Sequence, residues 1–271
     1  MKRGTKISLI IALILALSGV ALCVAAAAMG VTYGEFVDMV NNGDFTFGFK
    51  EKAIQEVKEV KKAKKSSDAK YLEVDLDAGE LSILPSDSDE IGFDAEEYEK
   101  YFEWKIDGDK VIVKNTDRNV WIHTDTPKAT LYVPENMNFD EIDIDIDAGK
   151  CSMALAAACD KFILDVDAGS ANVSSIQADH AEIECDAGNV IFEGKVINKG
   201  AASINAGSLE IVLKDMDVMD YNYNISVGAG SIEINEKKYS GLSSEDYINN
   251  HADADWMLEC NAGKIKMNIN K

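Results

Sequence analysis

The phrase Asp145-Ile146-Asp147-Ala148-Gly149 decides the fold, because it returns along the chain at a nearly fixed interval. Copies begin at Asp165 and Glu184, and a softened copy, Ser203-Ile204-Asn205-Ala206-Gly207, follows them. The position of the Asp or Asn before each Ala-Gly pair advances by 167−147 = 20, by 186−167 = 19 and by 205−186 = 19. A constant period of this size, with strict alternation inside it, is typical of stacked structural repeats.

Alternation of apolar and polar residues predicts strands in which every second side chain faces a core. In Ala181–Gly188 the inward set would be Ile183, Cys185 and Ala187, with acids on the outside. We therefore predict an all-β fold, a single-stranded parallel β-solenoid or β-roll with coils of about 20 residues. Each coil would pair in parallel with the next at about 4.8 Å.

Seven turns share one local pattern, in which a small residue precedes glycine. Glycine there supplies a positive φ or a close backbone approach, and the alanine is expected to fit where the interior narrows. The last interval, from Gly228 to Asn261, is longer than the others, and we interpret its polar part, Tyr239–His251, as a surface loop. The predicted turn glycines are Gly79, Gly149, Gly169, Gly188, Gly207, Gly230 and Gly263.

The N-terminal segment, residues 1–31, has the pattern of a cytoplasmic N-terminus and a transmembrane helix. Residues 7–31 carry no charge and are long enough to cross a bilayer. Positive residues precede this run and only acidic ones follow it closely, which predicts a single-pass protein of the cell membrane with a cytoplasmic N-terminus. Cleavage after the small residues Ala25–Ala28 stays an alternative.

Residues 32–70 are predicted to be a juxtamembrane segment and a Lys-rich helical stem, with the helix over Lys50–Lys65. The stem would rest on anionic lipid or polymer, or act as a solvated spacer. Residues 71–271 would form the extracytoplasmic solenoid domain, with an irregular, sheet-rich cap over 80–135 and regular coils over 139–271. Lys264–Ile269 would finish the last coil, where its alternating lysines suit an exposed edge.

The charge of the chain is strongly acidic and unevenly placed. The formal net charge is −21, and residues 71–271 alone carry 16 basic and 41 acidic residues, a net of −25. Such a surface excludes nucleic acid as a partner, because it offers no basic face for phosphates. It attracts cations or basic partners, or it serves only solubility and protection against edge-to-edge aggregation.

The acids of the repeat predict two outward columns if the coils stack in register. A divalent ion such as Ca²⁺ could bridge carboxylates of neighbouring coils, although the glycine-rich nonapeptide repeat of known calcium-binding rolls is absent. Solvent and counterions are the alternative means of offsetting the like charges. The candidate metal ligands are Asp145, Asp147, Asp165, Asp167, Glu184 and Asp186.

Other residues with chemical potential are better explained by packing. Cys151, Cys185 and Cys260 fall at inward positions, and no CxxC occurs, so neither a disulfide framework nor a redox motif is indicated. Aromatic residues of the cap could form a glycan or partner surface, or close a core; they are Tyr101, Phe102, Trp104 and Trp121.

Three features occur together: a membrane anchor, repeated Asp-Ala-Gly units, and the phrase Leu131-Tyr132-Val133-Pro134 leading into Ile142–Gly149. With these features the chain resembles the bacterial putative-adhesin family, a domain of unknown function. The resemblance covers about residues 70–271. It implies a parallel β-roll on the cell envelope, and it carries no catalytic residues. Some relatives are associated with envelope-stress systems.

These patterns favour a function that is not catalytic. The histidines are scattered, and HExxH, P-loop and GxSxG motifs are absent. We predict no enzyme and no cofactor apart from the possible Ca²⁺. The predicted function is a membrane-anchored, adhesin-like interaction module for an envelope polymer, a glycan or a protein. The alternatives are an accessory protein of an envelope-stress signalling system and, less favoured, a glycan-active solenoid enzyme.

Overall fold

The computed structural model describes residues 62–65, 69–115, 126–135 and 137–270. Apart from two short 3-10 helices, Glu96–Tyr101 and Val218–Asp220, its regular elements are strands. Within these ranges, no helix has the length and apolar character that a membrane crossing requires. The predicted membrane span at 7–31 and most of the predicted stem lie outside the described residues.

Sixteen strands are described. The first eight are β1 (Lys62–Lys65), β2 (Tyr71–Leu76), β3 (Glu80–Ser86), β4 (Glu90–Asp94), β5 (Phe102–Asp107), β6 (Lys110–Asn115), β7 (Lys128–Pro134) and β8 (Asn138–Ile146). The others are β9 (Lys150–Val166), β10 (Ser170–Lys214), β11 (Tyr221–Val227), β12 (Ser231–Ile234), β13 (Lys237–Ser240), β14 (Ser244–Ile248), β15 (Ala254–Cys260) and β16 (Lys264–Asn270).

The coils stack as predicted, in parallel and at the interval of the sequence repeat. Ile144 pairs with Leu164, and Leu164 pairs in turn with Ile183. Alternation sets the interior, because Ile146, Val166 and Cys185 are each at most 1% exposed. The prediction of an all-β, solenoid-like fold is therefore confirmed.

Each coil, called a rung below, contributes to two parallel ladders on opposite sides of the Ala-Gly corners. The front ladder holds the strand segments before the corners, and the back ladder holds those after them. The long strands β9 and β10 run through corners and so join the two ladders into one continuous sheet. Buried side chains from both ladders form a single core.

The corners differ from the prediction in one respect. Ala148, Ala168 and Ala187 are exposed, whereas Gly149 and Gly169 are buried. The prediction that the alanine points inward was wrong, because at the corners of Gly149 and Gly169 the glycine backbone faces the interior and the preceding methyl group turns outward. Of the seven turn glycines, Gly79 and Gly207 adopt a positive φ.

Close packing of rungs explains glycine at the other corners. A Cβ atom built on Gly169 would lie 2.3 Å from the carbonyl oxygen of Gly149, and one on Gly188 would lie 2.4 Å from that of Gly169. The same carbonyl oxygens accept the inter-rung hydrogen bonds at the corner, for example from the Ser170 amide at 3.0 Å. The glycines thus form a continuous spine that leaves no room for a side chain.

At both ends of the solenoid, the order of rungs in space differs from their order in sequence. The C-terminal rung, β15 and β16, lies between β10 on one side and β11 and β12 on the other. The first rung, β2 and β3, lies between β6 and β7 on the outside and β8 and β9 on the inside. Each terminal rung is therefore inserted one position inside its end of the stack.

This order overturns the prediction that Lys264–Ile269 forms an exposed terminal edge. The lysines of β16 instead connect two neighbouring rungs. Lys264 lies 3.7 Å from Glu233 of β12, and Lys266 lies 3.4 Å from Glu210 of β10. Opposite charges on the two flanking strands therefore suit β16 to an interior position.

Antiparallel strands cover both ends of the ladders. At the N-terminal end β5 covers β6 and β4 covers β7; at the C-terminal end β14 covers β11 and β13 covers β12.

The segment Tyr239–His251, predicted as a loop, thus contains β14 and the end of β13. Within 80–135, β3, β6 and β7 belong to regular rungs, in place of the irregular cap expected there. The helix predicted to reach Lys65 does not, because Lys62–Lys65 is strand β1, paired with β4.

Candidate interaction surface

Stacking brings the acids of the repeat into two adjacent columns on the front of the solenoid. In the first column Asp75 pairs with Asp145, Asp145 with Asp165, and Asp165 with Glu184. The second column follows the corners, where backbone hydrogen bonds connect successive rungs, as from the Ala148 amide to the Asp77 carbonyl. We call these eight carboxylates the acidic patch: Asp75, Asp77, Asp145, Asp147, Asp165, Asp167, Glu184 and Asp186.

All six candidate ligands predicted from the sequence belong to this patch. The sequence reasoning missed Asp75 and Asp77, although Leu76-Asp77-Ala78-Gly79 repeats the corner phrase. It missed them because β2 was assigned to the first coil, separated from Asp145 by the cap, whereas β2 pairs directly with β8. The inserted rung therefore lengthens each column from three carboxylates to four.

Polar groups of two kinds lie at the two ends of the acidic patch. At one end Lys114 of the outer rung lies 2.9 Å from Glu73 and 3.1 Å from Asp75, and Lys110 contacts Glu73. At the other end Asn205 donates a side-chain hydrogen bond to Asp186 and accepts one from Asn261 at 2.7 Å. Within the described residues, Asp145, Asp165 and Glu184 form no ion pair, so no basic side chain there compensates the charge of these three carboxylates.

Two carboxylates of the patch, Asp145 and Asp165, have a raised pKa because of partial burial and of the acids beside them. Partial burial raises the pKa of Asp145 above 3.8, and Asp165, Asp147 and Asp75 add to the effect. Partial burial also raises the pKa of Asp165, with Glu184, Asp167 and Asp186 adding to it. Glu73 shows the opposite direction, because hydrogen bonds from Lys110 and Lys114 lower its pKa below 4.5.

The geometry of the patch differs from that of a chelating metal site. In the part of the chain that the structure describes, no group of three or more His, Cys, Asp or Glu side chains is arranged to hold a metal ion. The columns offer pairs of carboxylates one rung apart, about 4.8 Å between strands. Calcium bridging between rungs stays a prediction, and its ligands would be the six acids named from the sequence.

The back ladder differs from the front in charge. Its parallel strand segments carry four glutamates and six lysines, whereas those of the front ladder carry ten acids and four lysines. Each back-ladder glutamate has a lysine partner: Glu80 with Lys128, Glu193 with Lys214, Glu210 with Lys266 and Glu233 with Lys264. The two sides of the solenoid therefore present different electrostatic surfaces.

The four cysteines of the described residues are packed in the core. Burial raises the pKa of the Cys151 and Cys159 thiols to about 12 and that of Cys185 to about 11, so these cysteines are poor nucleophiles at neutral pH. Phe102 is buried, and Trp104 stacks on Phe93 with ring centroids 5.6 Å apart. These cap aromatics help to close the core; Trp121 and His123 lie outside the described residues.

Comparisons with known proteins place this fold in a family. A comparison with curated proteins finds no match. One similar solved structure is a "putative cell adhesion protein" of Clostridium sporogenes, at 14% identity, covering 77% of this chain and 97% of that one, with a TM-score of 0.42. Another is a "putative adhesin" of Bacteroides fragilis, at 10% identity, covering 79% and 100%, with a TM-score of 0.30.

Because both TM-scores are below 0.5, these likenesses carry no weight for fold or function. The family comparison is stronger, since the model described as Toastrack DUF4097 matches residues 69–246. That range is well over half of the chain and includes β2 to β13, with the acidic patch. The resemblance to an adhesin-like family of unknown function is thereby confirmed, and the chain belongs to the Toastrack DUF4097 family.

Proposed function

We propose that this protein is a non-catalytic interaction module, which its N-terminal segment anchors in the cell membrane and displays outside the cell. The acidic patch would bind a partner rich in lysine or arginine. The observation that carries the proposal is the charge contrast between the two sides of the solenoid. Solubility alone would be served by acids on either side of the solenoid. Here the acids are concentrated on the front, where Asp145, Asp165 and Glu184 have no ion-pair partner among the described residues.

The arrangement suits recognition better than catalysis. Paired-carboxylate enzymes need one acid and one base in different environments, so that their pKa values are pushed apart. Here Asp145 and Asp165 have similar surroundings, and both pKa values move in the same direction. Repeated carboxylates at rung spacing instead offer several equivalent contacts to a polycation, which raises the association rate and gives a strong dependence on salt.

A titration with octalysine tests this proposal. The full-length protein in detergent is compared with a front variant, Asp145→Asn, Asp165→Asn and Glu184→Gln. The matched control removes three negative charges from the back: Glu80→Gln, Glu193→Gln and Glu233→Gln. We expect the front variant to bind at least about tenfold more weakly, a loss of about 1.4 kcal/mol, while the control keeps most of the affinity.

Salt provides the second readout, because contacts between exposed charges weaken as the Debye length falls from about 10 Å at 0.1 M to about 3 Å at 1 M. Equal losses of octalysine affinity in the two variants would show that only net charge matters and would exclude the acidic patch as the binding site. Undetectable octalysine binding at low salt would exclude a partner rich in lysine or arginine.

A further inference from the structure

A second surface lies on the back of the solenoid, near its N-terminal end. There an apolar strip crosses three neighbouring rungs: Tyr132 of β7 pairs with Leu84 of β3, and Ala154 of β9 follows Met153, the partner of Ile83. Tyr132 and Leu84 are partly exposed and Ala154 is exposed. On the outer side of Tyr132, β4 places Gly92, which has no side chain to cover the ring.

A row of hydroxyl groups runs beside this strip. Thr130 pairs with Ser82, and Ser82 pairs with Ser152, so one hydroxyl follows another from rung to rung, at about 4.8 Å between strands. All three residues are partly exposed. Within the described structure these three side chains make no hydrogen bond to the protein, so their hydroxyl groups are available to solvent or to a ligand as donors and acceptors.

The charges around the strip are balanced. Beside the hydroxyl row, Glu80 lies 3.2 Å from Lys128 and pairs across the strands with Lys150, and Asp94 of β4 pairs with Thr130, so two acids face two lysines. The six residues of the strip and the row are themselves uncharged. A polycation would be drawn to the acidic patch on the opposite side, and the net charge of the domain repels a polyanion. The ligand that matches this surface is therefore itself uncharged.

We propose that the strip Tyr132–Leu84–Ala154, with the row Thr130–Ser82–Ser152, binds an uncharged polysaccharide chain. A pyranose ring has an apolar C–H face, which packs on aromatic and aliphatic side chains, and hydroxyl groups at its edge, which hydrogen-bond to groups beside it. A chain running along the solenoid axis meets an apolar residue and a hydroxyl group at each of these three rungs. This inference deepens the proposed function, since it gives the module a second partner class on its other side.

The test is calorimetric titration of the full-length protein with two uncharged oligosaccharides, cellohexaose and chitohexaose. The strip is disrupted in Tyr132→Ala and, independently, in Ala154→Asp, which adds a charge at an exposed position without removing core packing. The matched control is Tyr247→Ala, because Tyr247 is an exposed tyrosine of β14, 63% accessible, outside the strip. Melting temperatures show whether each variant is folded.

We expect at least one of the two sugars to bind, and Tyr132→Ala to weaken that binding by about tenfold. Ala154→Asp weakens it as well, Tyr247→Ala does not, and added salt leaves the affinity unchanged. Failure of both sugars to bind at millimolar concentrations overturns the proposal, as does binding that Tyr132→Ala leaves intact. Octalysine binding distinguishes the two sites, because it requires the acidic patch and should be unaffected by Tyr132→Ala.

Discussion

Replacing Gly169 by alanine tests the glycine spine, because the added Cβ would lie 2.3 Å from the Gly149 carbonyl oxygen and 2.9 Å from Ile146 Cγ2. Such contacts do not occur below 3.0 Å, so the rungs must separate there by at least 3.0 − 2.3 = 0.7 Å. The hydrogen bond from the Ser170 amide to the same oxygen, now 3.0 Å, would then lengthen to about 3.7 Å, beyond hydrogen-bonding range.

The expected loss follows from two contributions. A broken, partly buried backbone hydrogen bond costs about 1–2 kcal/mol, and strain from an inserted methyl group costs about 1–3 kcal/mol. The lower entropy of the unfolded chain with alanine offsets about 0.4–1 kcal/mol of this. We therefore expect Gly169→Ala to lower the free energy of unfolding by about 3 kcal/mol, measured by urea denaturation followed by circular dichroism.

Gly108→Ala is the matched control, because a Cβ at Gly108 would meet no atom within 4 Å. Its positive φ of 63° still disfavours alanine, so a cost of about 1 kcal/mol is expected from the backbone alone. If Gly169→Ala proves no more destabilising than Gly108→Ala, the corners do not pack as closely as described and the explanation of the spine is refuted.

Four further predictions concern the acidic patch and its border. Asn205→Asp should destabilise the fold by about 1 kcal/mol in a urea titration, because it removes the donor to Asp186 and adds a fifth carboxylate to the column; unchanged stability would contradict this. Asp145→Asn should raise the melting temperature at pH 7, since the folded-state pKa of Asp145 lies above 3.8; the gain should shrink as pH falls through that raised value and vanish below 3.8, where both states are protonated. The pKa of Glu73 is lowered in the folded state, so its ionised carboxylate stabilises the fold above pH 4.5. Glu73→Gln should therefore be less stable than the unchanged protein at pH 7, and this difference in stability should shrink as pH falls below 4.5. If calcium bridges the columns, millimolar Ca²⁺ should raise the melting temperature of the parent and not of the front variant, and no rise in either would exclude the bridge.

Much of the fold can be predicted from the sequence because its strongest signal is local. Alternation fixes which side chains enter the core, and the nearly constant repeat interval fixes which strands pair, as the pairing of Leu164 with Ile183 shows. The same local signal finds six of the eight acids of the patch. At the corners it finds the glycines, but it assigns the neighbouring alanines to the core, because alternation does not continue through a bend.

The order of rungs at the two ends is not a local property. Every rung offers the same apolar alternation and the same backbone edges, so nothing near Leu76 or Ile265 states which rung lies beside it. The charges of β16 provide a signal only when both neighbours are known, since Lys264 and Lys266 pair with Glu233 and Glu210 from two different rungs. The back-side strip likewise depends on β7 lying outside β3, and no motif in the sequence indicates it.

Disulfide trapping tests most directly whether the first rung is inserted, on which the four-carboxylate columns depend. In this fold residues 75 and 145 are direct partners on neighbouring strands, about 4.8 Å apart, whereas residues 114 and 145 are separated by the intervening rung, about 9.6 Å. Two cysteines bridge only when their Cα atoms are within about 7 Å, and the four native cysteines of the described residues are buried. The account predicts that Asp75→Cys with Asp145→Cys forms a disulfide under mild oxidation and that Lys114→Cys with Asp145→Cys does not. The reverse result would show that the rungs stack in sequence order and would contradict the account.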